Sequence, residues 1–347
     1  MPVSVVVGGQ YGSEGKGKVA HCLAVENSAA AVVRIGGTNS GHTVVQAGST
    51  YVLRQLPTAA VLSDVMCVLG PGSYVDAEIL AREVSLLGLD ERRLLVDENA
   101  VVITDAEKAA EGSLGLGPTI GSTLSGTGEA VRARTARNGT VSFAKNHPAL
   151  SRWIGSAAPL LRDLLDRNER IVVEGTQGFG LSVLHSPTYP FVTSRDTSAA
   201  AMVSEAGLSP LDVDEIVLVL RAFPIRVAGH SGPLAGEISW ETVTMEGRHD
   251  HPILELTSVT RNVRRVGRFD PGIVARAITV NRPSNIVINH LDYLDHEACV
   301  SREVTPEIGR FVSDIERTLG CHVNQLGIGA DLLVARAPAY GRLVLSS

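Results

Sequence analysis

The sequence predicts an α/β protein with a central, mainly parallel sheet flanked by helices, a P-loop-like phosphate loop, a small hairpin and long active-site loops. Three observations carry that reading. Short, almost wholly apolar, β-branched runs recur along the chain, longer amphipathic stretches separate them, and a glycine-rich turn follows the first run. Strands apolar on both faces are what a sheet covered on both sides requires, and their alternation with helical patterns gives parallel βαβ units.

Taken in order, the strands are expected at 3–7, 31–35, 65–69, 94–96, 171–173, 216–220 and 286–288. A helix is expected at 76–87, where Ile79, Leu80, Val84 and Leu87 fall on one face. Two more, at 159–167 and 306–319, each carry a proline near the start. The segment 43–53 has the pattern of a hairpin turning on Gly48. The Gly/Ser/Thr-rich stretch 112–128 is the best candidate for a mobile loop. The apolar runs on either side of it suit one sheet, so residues 1–347 are expected to form a single domain.

Composition narrows the function. The chain has 347 residues, 44% hydrophobic and 20% charged, with net charge −6. That acidic balance argues against bulk nucleic-acid binding, and an aromatic content of 4% argues against stacking on single strands. A pocket for a small phosphorylated ligand needs only a few cations. Cys22, Cys67, Cys299 and Cys321 are far apart and form no Cys-x-x-Cys pair, so neither a zinc site nor a disulfide framework is indicated. The N-terminus has no basic leader and no stretch approaches a membrane span, which gives a cytoplasmic expectation with no membrane partner.

Gly8-Gly9-Gln10-Tyr11-Gly12-Ser13-Glu14-Gly15-Lys16-Gly17-Lys18 leaves the first strand and enters a helix-like stretch. Such a junction presents backbone N–H groups and a positive helix end to an anion. It is not a Walker A loop: five residues separate Gly9 from Gly15, and Gly17 follows Lys16 where Ser or Thr would hold magnesium. Nor does it fit Gly-x-Gly-x-x-Gly.

At Gly12 to Lys18 the chain resembles the Gly-Asp-Glu-Gly-Lys-Gly-Lys signature of the adenylosuccinate synthetase family. Further resemblances follow in family order: Gly36-Gly37-Thr38-Asn39-Ser40-Gly41-His42-Thr43, Glu174-Gly175-Thr176-Gln177-Gly178, Thr188-Tyr189-Pro190-Phe191-Val192-Thr193-Ser194, a diverged arginine loop Thr260-Arg261-Asn262-Val263-Arg264-Arg265-Val266-Gly267, and Asn289-His290-Leu291-Asp292 in the place of a base-reading motif. The chain is shorter than typical members, which implies a trimmed periphery. The resemblance implies a ligase that moves the γ-phosphoryl group of a nucleoside triphosphate to O6 of a purine monophosphate, then displaces phosphate with the amino group of L-aspartate. Mg2+ is the implied cofactor.

Three departures from the family pattern matter. Ser13 stands where the family has a catalytic Asp that takes the N1 proton and ligates magnesium, and a hydroxyl has almost no basicity. Either the chain is a crippled homologue or its substrate differs. A carboxylate there lies close to purine position 2, so the shorter Ser makes room for the 2-amino group of guanine and offers it an acceptor. This resembles the bacteriophage subfamily known as PurZ, which joins aspartate to dGMP for 2-aminoadenine DNA. Asn262 replaces an Arg that binds aspartate and touches the ribose edge, which would relax 2′-OH recognition and admit a deoxynucleotide. His290 replaces the Lys of the guanine-reading motif, so ATP or dATP is expected as donor ahead of GTP.

The resemblance then distributes roles. Ser13, His42 and Lys16 are the expected catalytic residues, His42 as the acid that stabilises transferred charge and Lys16 as a phosphate ligand. The triphosphate would meet Gly12 to Lys18, including Glu14, Gly15, Gly17 and Lys18, with Gly41, His42, Thr43, Arg264, Asn289, His290, Asp292, Gln325 and Gly327. The purine monophosphate would meet Ser13, Asn39, Ser122, Thr123, Gln177, Thr193, Asn262 and Arg137, the last contributed in trans by a homodimer partner. Aspartate would meet Val259, Thr260, Arg261, Arg264 and Arg265, and Mg2+ would meet Ser13 and the Gly41 carbonyl. An ordinary IMP- and GTP-using synthetase, a non-catalytic nucleotide binder and a P-loop kinase without aspartate are the competing readings.

Overall fold

The computed structural model describes residues 2–257 and 262–336. Ten strands form the main sheet in the spatial order Leu332–Ala335, Gln325–Ile328, Asn285–Asn289, Val213–Arg221, Val3–Gly8, Ile171–Glu174, Ala31–Arg34, Met66–Leu69, Leu94–Asp97 and Ile154–Gly155. Neighbours pair in parallel throughout, except that the edge strand Leu332–Ala335 runs antiparallel to Gln325–Ile328. All seven expected strands are present, each within a few residues of its expected bounds.

Alternate residues of the central strands go to opposite faces, and both faces are apolar. Val5, Val7, Val33, Val173, Leu218 and Ile288 face a core packed by the helices Ala157–Asp166, Ala199–Ala206, Pro271–Asn281 and Pro306–Leu319. Val6, Val32, Val172, Val219 and Val287 face the helix Lys16–Glu26. The hairpin pairs His42–Gln46 with Ser49–Leu53 through Ala47 and Gly48, whose φ values of 49° and 77° suit a two-residue turn matched to strand twist.

Two expectations need correcting. The stretch 112–128 is largely helical: Asp105–Ser113 runs into it, Leu116–Ile120 forms a short helix, and Thr127–Ala136 begins inside it. The buried Glu111 carboxylate anchors its loop portion, accepting from Ser122 Oγ at 2.8 Å and from the Gly126 N–H. The helix expected to begin at Pro159 begins at Ala157, with Ser156 as its N-cap residue.

The topology explains where the site lies. The first strand sits between Ile171–Glu174 and Val213–Arg221, so the chain order reverses around it, and ligands of such sheets bind beyond the carboxyl ends at that reversal. There the apolar runs end in polar groups held side by side: Arg34 is in register with Glu174, Val6 with Glu174, and Arg221 with Asn289.

Candidate active site

The loop after the first strand is built around Glu14. Its fully buried carboxylate accepts from the Gln10 N–H at 3.1 Å, the Gly12 N–H at 2.8 Å and Lys16 Nζ at 2.7 Å. Glu14 thus shapes the loop from inside and does not line the cleft. Gly15 enters the helix at φ 89°, and a Cβ there would stand 2.6 Å from Asn289 Nδ2, the group that donates to the Glu14 carbonyl at 2.8 Å. No side chain caps the helix that follows, so its first N–H groups remain available to an anion.

His42 opens the hairpin and reaches back to the sheet. Its Nδ1 lies 2.5 Å from Glu174 Oε1, which also accepts from Arg34 Nη1 at 2.8 Å, while Glu174 Oε2 accepts the Thr58 N–H at 2.8 Å. Burial first, then the Arg34 charge, holds the imidazole well below its ordinary value. Burial opposes ionisation of Glu174, yet His42 and Arg34 keep it a carboxylate. An ionised carboxylate only accepts, so Nδ1 carries the proton and Nε2 is left for a ligand.

A third cluster lies on the other side of the loop. Arg221, fully buried, donates to the Ser13 carbonyl at 3.0 Å and pairs with Glu255. Tyr293 Oη donates to Glu255 at 3.0 Å, and burial pushes that phenol up. Although burial opposes it, Arg221, His290 and Arg264 hold Glu255 down to about 2. Arg264 donates to Ser13 Oγ and, through Nε, to the Leu256 carbonyl at 3.1 Å.

Of these groups Gly12, Ser13, Lys16, His42 and Arg264 help wall a cleft of about 310 Å³, which shares Tyr11, Asn39, Ser122, Thr123, Gln177 and Arg226 with a second chamber of about 610 Å³. Both volumes suit a small ligand. The first chamber brings together Gly12, Ser13, Lys16, Asn39, Gly41, His42, Ser122, Thr123, Gln177, Asn262 and Arg264, and the second adds Thr193. Gln177 holds φ 63° at the shared wall, a conformation a non-glycine residue keeps only where its surroundings fix it.

Other expected residues lie elsewhere. Thr43 is exposed on the hairpin. Arg265 pairs with Glu237 and donates to the Gly232 carbonyl at 2.7 Å, lining neither chamber. Arg137 caps the helix Thr127–Ala136, exposed and outside both chambers of its own chain. Asn289 ends one strand, with His290 and Asp292 just beyond it, Gln325 and Gly327 lie in the neighbouring parallel strand, and Lys18 reaches the Gly329 carbonyl just past that strand at 2.9 Å. Burial, reinforced by the Arg221 charge and opposed by Glu255, lowers His290 to about 3 and leaves it neutral. Val259, Thr260 and Arg261 lie outside the described residues.

The sequence reading missed Glu174 as a functional group, and with it Arg34, Arg221, Glu255, Tyr11 and Arg226. Arg226 stacks 4.2 Å over the Tyr11 ring where the two chambers meet. A signal for three of them was present: Arg34, Glu174 and Arg221 are each a charge closing an apolar strand.

A family model described as adenylosuccinate synthetase matches residues 5–144 and 140–303. The chain belongs to the adenylosuccinate synthetase family. Adenylosuccinate synthetases of Methanocaldococcus jannaschii and Thermococcus sibiricus are 33% and 35% identical, aligned over 95% and 96% of this chain and 94% and 97% of theirs. The chain thus spans nearly the whole length of these archaeal synthetases. The fully ligated Plasmodium falciparum adenylosuccinate synthetase superposes with TM-score 0.85 at 18% identity, covering 97% of this chain and 100% of its own. The cyanophage S-2L succinoaminodeoxyadenylate synthetase (PurZ), solved with dGMP and with dATP as an energy donor, superposes with TM-score 0.81 at 29% identity, covering 96% and 95%. As an adenylosuccinate synthetase-family member the chain is a C–N ligase that uses aspartate and a purine nucleotide.

The family metal is Mg2+, and the donors present fit it in a restricted way. No Asp or Glu lines the first chamber, and among the described residues no group of three or more His, Cys, Asp and Glu can hold a metal. The Gly41 carbonyl remains as a neutral hard oxygen, whereas the expected ligand Ser13 Oγ is already the acceptor of Arg264, a set that suits an ion that keeps waters and substrate phosphates as its other ligands. Bound there, Mg2+ supplies neutralisation of phosphoryl charge. Among the described residues no helix is long and apolar enough to cross a membrane.

Proposed function

We propose that this ligase joins L-aspartate to C6 of dGMP, with ATP or dATP preferred to GTP as donor. The observation that carries the reading is Ser13: a hydroxyl in a first chamber that has no carboxylate among its lining residues. Ser13 Oγ has two acceptor lone pairs, one taken by Arg264 and one free for a purine 2-amino N–H. The PurZ structure with dGMP and dATP supports the substrate pair by likeness.

The chemistry balances in two steps. O6 attacks the γ-phosphorus, the bond to the donor's bridging oxygen breaks, and nucleoside diphosphate leaves as N1 gives up its proton. The aspartate amine then attacks C6, and phosphate leaves with the former O6. With no carboxylate beside the purine, water or phosphate takes the N1 proton. Lys16 holds the phosphoryl oxygens in transit, the negative charge they bring protonates His42 at Nε2 so that it can donate to them, and Arg264 orients Ser13 and the aspartate carboxylate. Asn262, shorter than arginine and uncharged, tolerates a ribose without its 2′-hydroxyl. Arg137 completes the monophosphate site of the partner subunit in a homodimer.

A second reading is ordinary IMP chemistry with GTP, favoured by archaeal relatives that are 33–35% identical and named adenylosuccinate synthetase. IMP, GMP and dGMP, each assayed with ATP, dATP and GTP for succinylated product and aspartate-dependent phosphate release, separate the two. Product from dGMP supports the proposal; product from IMP with little from dGMP overturns it.

A further inference from the structure

We propose that Lys18 is a positioning residue of the donor-base pocket, where it and Asp292 clamp the Gly329 peptide from opposite sides and so set where the donor's base sits. The inference rests on the reading above that the donor occupies the region of Asn289, His290, Asp292, Gln325 and Gly327. It departs from the expectation that every cation of the glycine-rich loop binds phosphate.

Helix geometry separates the two lysines. Residues two apart on an α-helix point about 200° from each other. Lys16 therefore faces the cleft and Glu14, while Lys18 faces the ends of the strands Asn285–Asn289 and Gln325–Ile328. Lys18 is buried, 6% exposed as a residue, and its ammonium donates to the Gly329 carbonyl at 2.9 Å. The N–H of the same glycine donates to Asp292 Oδ1 at 2.9 Å. Gly329 holds φ 60° in the turn into the edge strand. Burial lowers Lys18 to about 8 against the opposing charges of Asp292 and Asp331, with Arg302 and Cys22 also near. Asp331 is itself occupied by Arg302.

Among the described residues the clamp ties the phosphate loop to the base region, and a second tie runs beside it. The other is Asn289, whose amide donates to the Glu14 carbonyl and whose Oδ1 lies so near Gly327 that a Cβ there would stand 1.8 Å away. Among the described residues that buried Oδ1 has no hydrogen-bond partner. The two ties fix the span between phosphate loop and base region, so loosening Lys18 shifts the base relative to the phosphates. Because purine bases differ at their edges, such a shift changes their ranking as donors.

The test uses the full-length protein with Lys18→Met and Lys18→Gln. Aspartate-dependent phosphate release is measured with ATP, dATP and GTP, and binding of dGMP and of IMP is titrated separately. Lys18→Met is expected to raise donor KM about tenfold and to change the ATP-to-GTP ratio of kcat/KM by about threefold or more, with monophosphate affinity kept within about twofold. Lys18→Gln, which still has an N–H for the Gly329 carbonyl, is expected to fall between; it carries the comparison alone should Lys18→Met fail to fold. A kcat lost equally with every donor at an unchanged ratio overturns the proposal in favour of a phosphate ligand, and unaltered kinetics overturns it in favour of a merely buried lysine. A preference of the parent for IMP over dGMP refutes the substrate reading instead, and the donor ratios are then read with IMP.

Discussion

His42 Nδ1 lies 2.5 Å from Glu174 Oε1, and the carboxylate that receives it is wholly buried at the end of a central strand. One group stands on a hairpin and the other on the sheet, 132 residues apart in sequence, so the fold itself fixes the imidazole tautomer that faces the cleft. The pair ties the hairpin to the sheet's carboxyl edge at the wall of the cleft.

Replacing Glu174 by Gln removes the charge that holds the proton on Nδ1. Glu174→Gln is expected to lower kcat by about a hundredfold, the scale of a lost positioned proton-transfer partner, with less effect on KM for the monophosphate. Steady-state kinetics that move KM alone would assign Glu174 to packing.

The same pair predicts the acid limb of stability. His42 has its ordinary value of 6.5 lowered to about 4, so the unfolded chain binds a proton that the folded chain refuses. Its contribution is therefore present above pH 6.5 and is lost as pH falls toward 4. Unfolding free energies from denaturant titrations across that window should fall by up to about 1.4 kcal/mol per pH unit from this one proton. Glu174, lowered from 4.5 to about 2, extends the loss to lower pH. In His42→Asn the upper part of the window should flatten.

Much of the architecture was legible because its signal is local. Alternating apolar runs such as 3–7 and 171–173 fix strands buried on both faces, and Gly48 fixes a hairpin. The phosphate loop was legible as glycines and lysines after a strand. Its inner logic was not: Glu14 reads as a surface charge until the fold folds Gln10, Gly12 and Lys16 around it. Lys16 and Lys18 are alike in sequence, and only the helix phase sends them to different partners. Glu255 and Arg221 meet through a long sequence separation that no window shows.

Gly178 packs against the phosphate loop, and a Cβ there would stand 2.3 Å from Glu14 Oε1 and 2.5 Å from the Gln10 carbonyl. Gly178→Ala is expected to displace the loop, costing about 1–3 kcal/mol of stability and weakening nucleotide binding. A thermal melt and a nucleotide titration check both effects, and an unchanged titration would show that Glu14 does not shape the loop.

Arg137 lies outside its own chain's cleft, so the role proposed for it requires the proposed homodimer. Arg137→Ala is expected to raise KM for the monophosphate about tenfold, the scale of one lost charge-assisted hydrogen bond. Mixed with inactive His42→Asn, it should regain activity, because one of the two sites in a hybrid dimer then has both residues intact. Mixtures no more active than their separate components would mean that Arg137 is only a surface residue.

Ser13→Asp returns a carboxylate to the purine. It is expected to depress kcat/KM for dGMP by about tenfold or more through crowding of the 2-amino group, and to raise it for IMP. Equal use of dGMP by variant and parent would remove the steric argument.

The most direct measurement is a crystal structure with dGMP bound. The account predicts the guanine 2-amino nitrogen within about 3.2 Å of Ser13 Oγ, a hydrogen-bond distance, with Arg264 still on that hydroxyl. A purine whose position 2 faces any other group, with Ser13 turned aside, would contradict it.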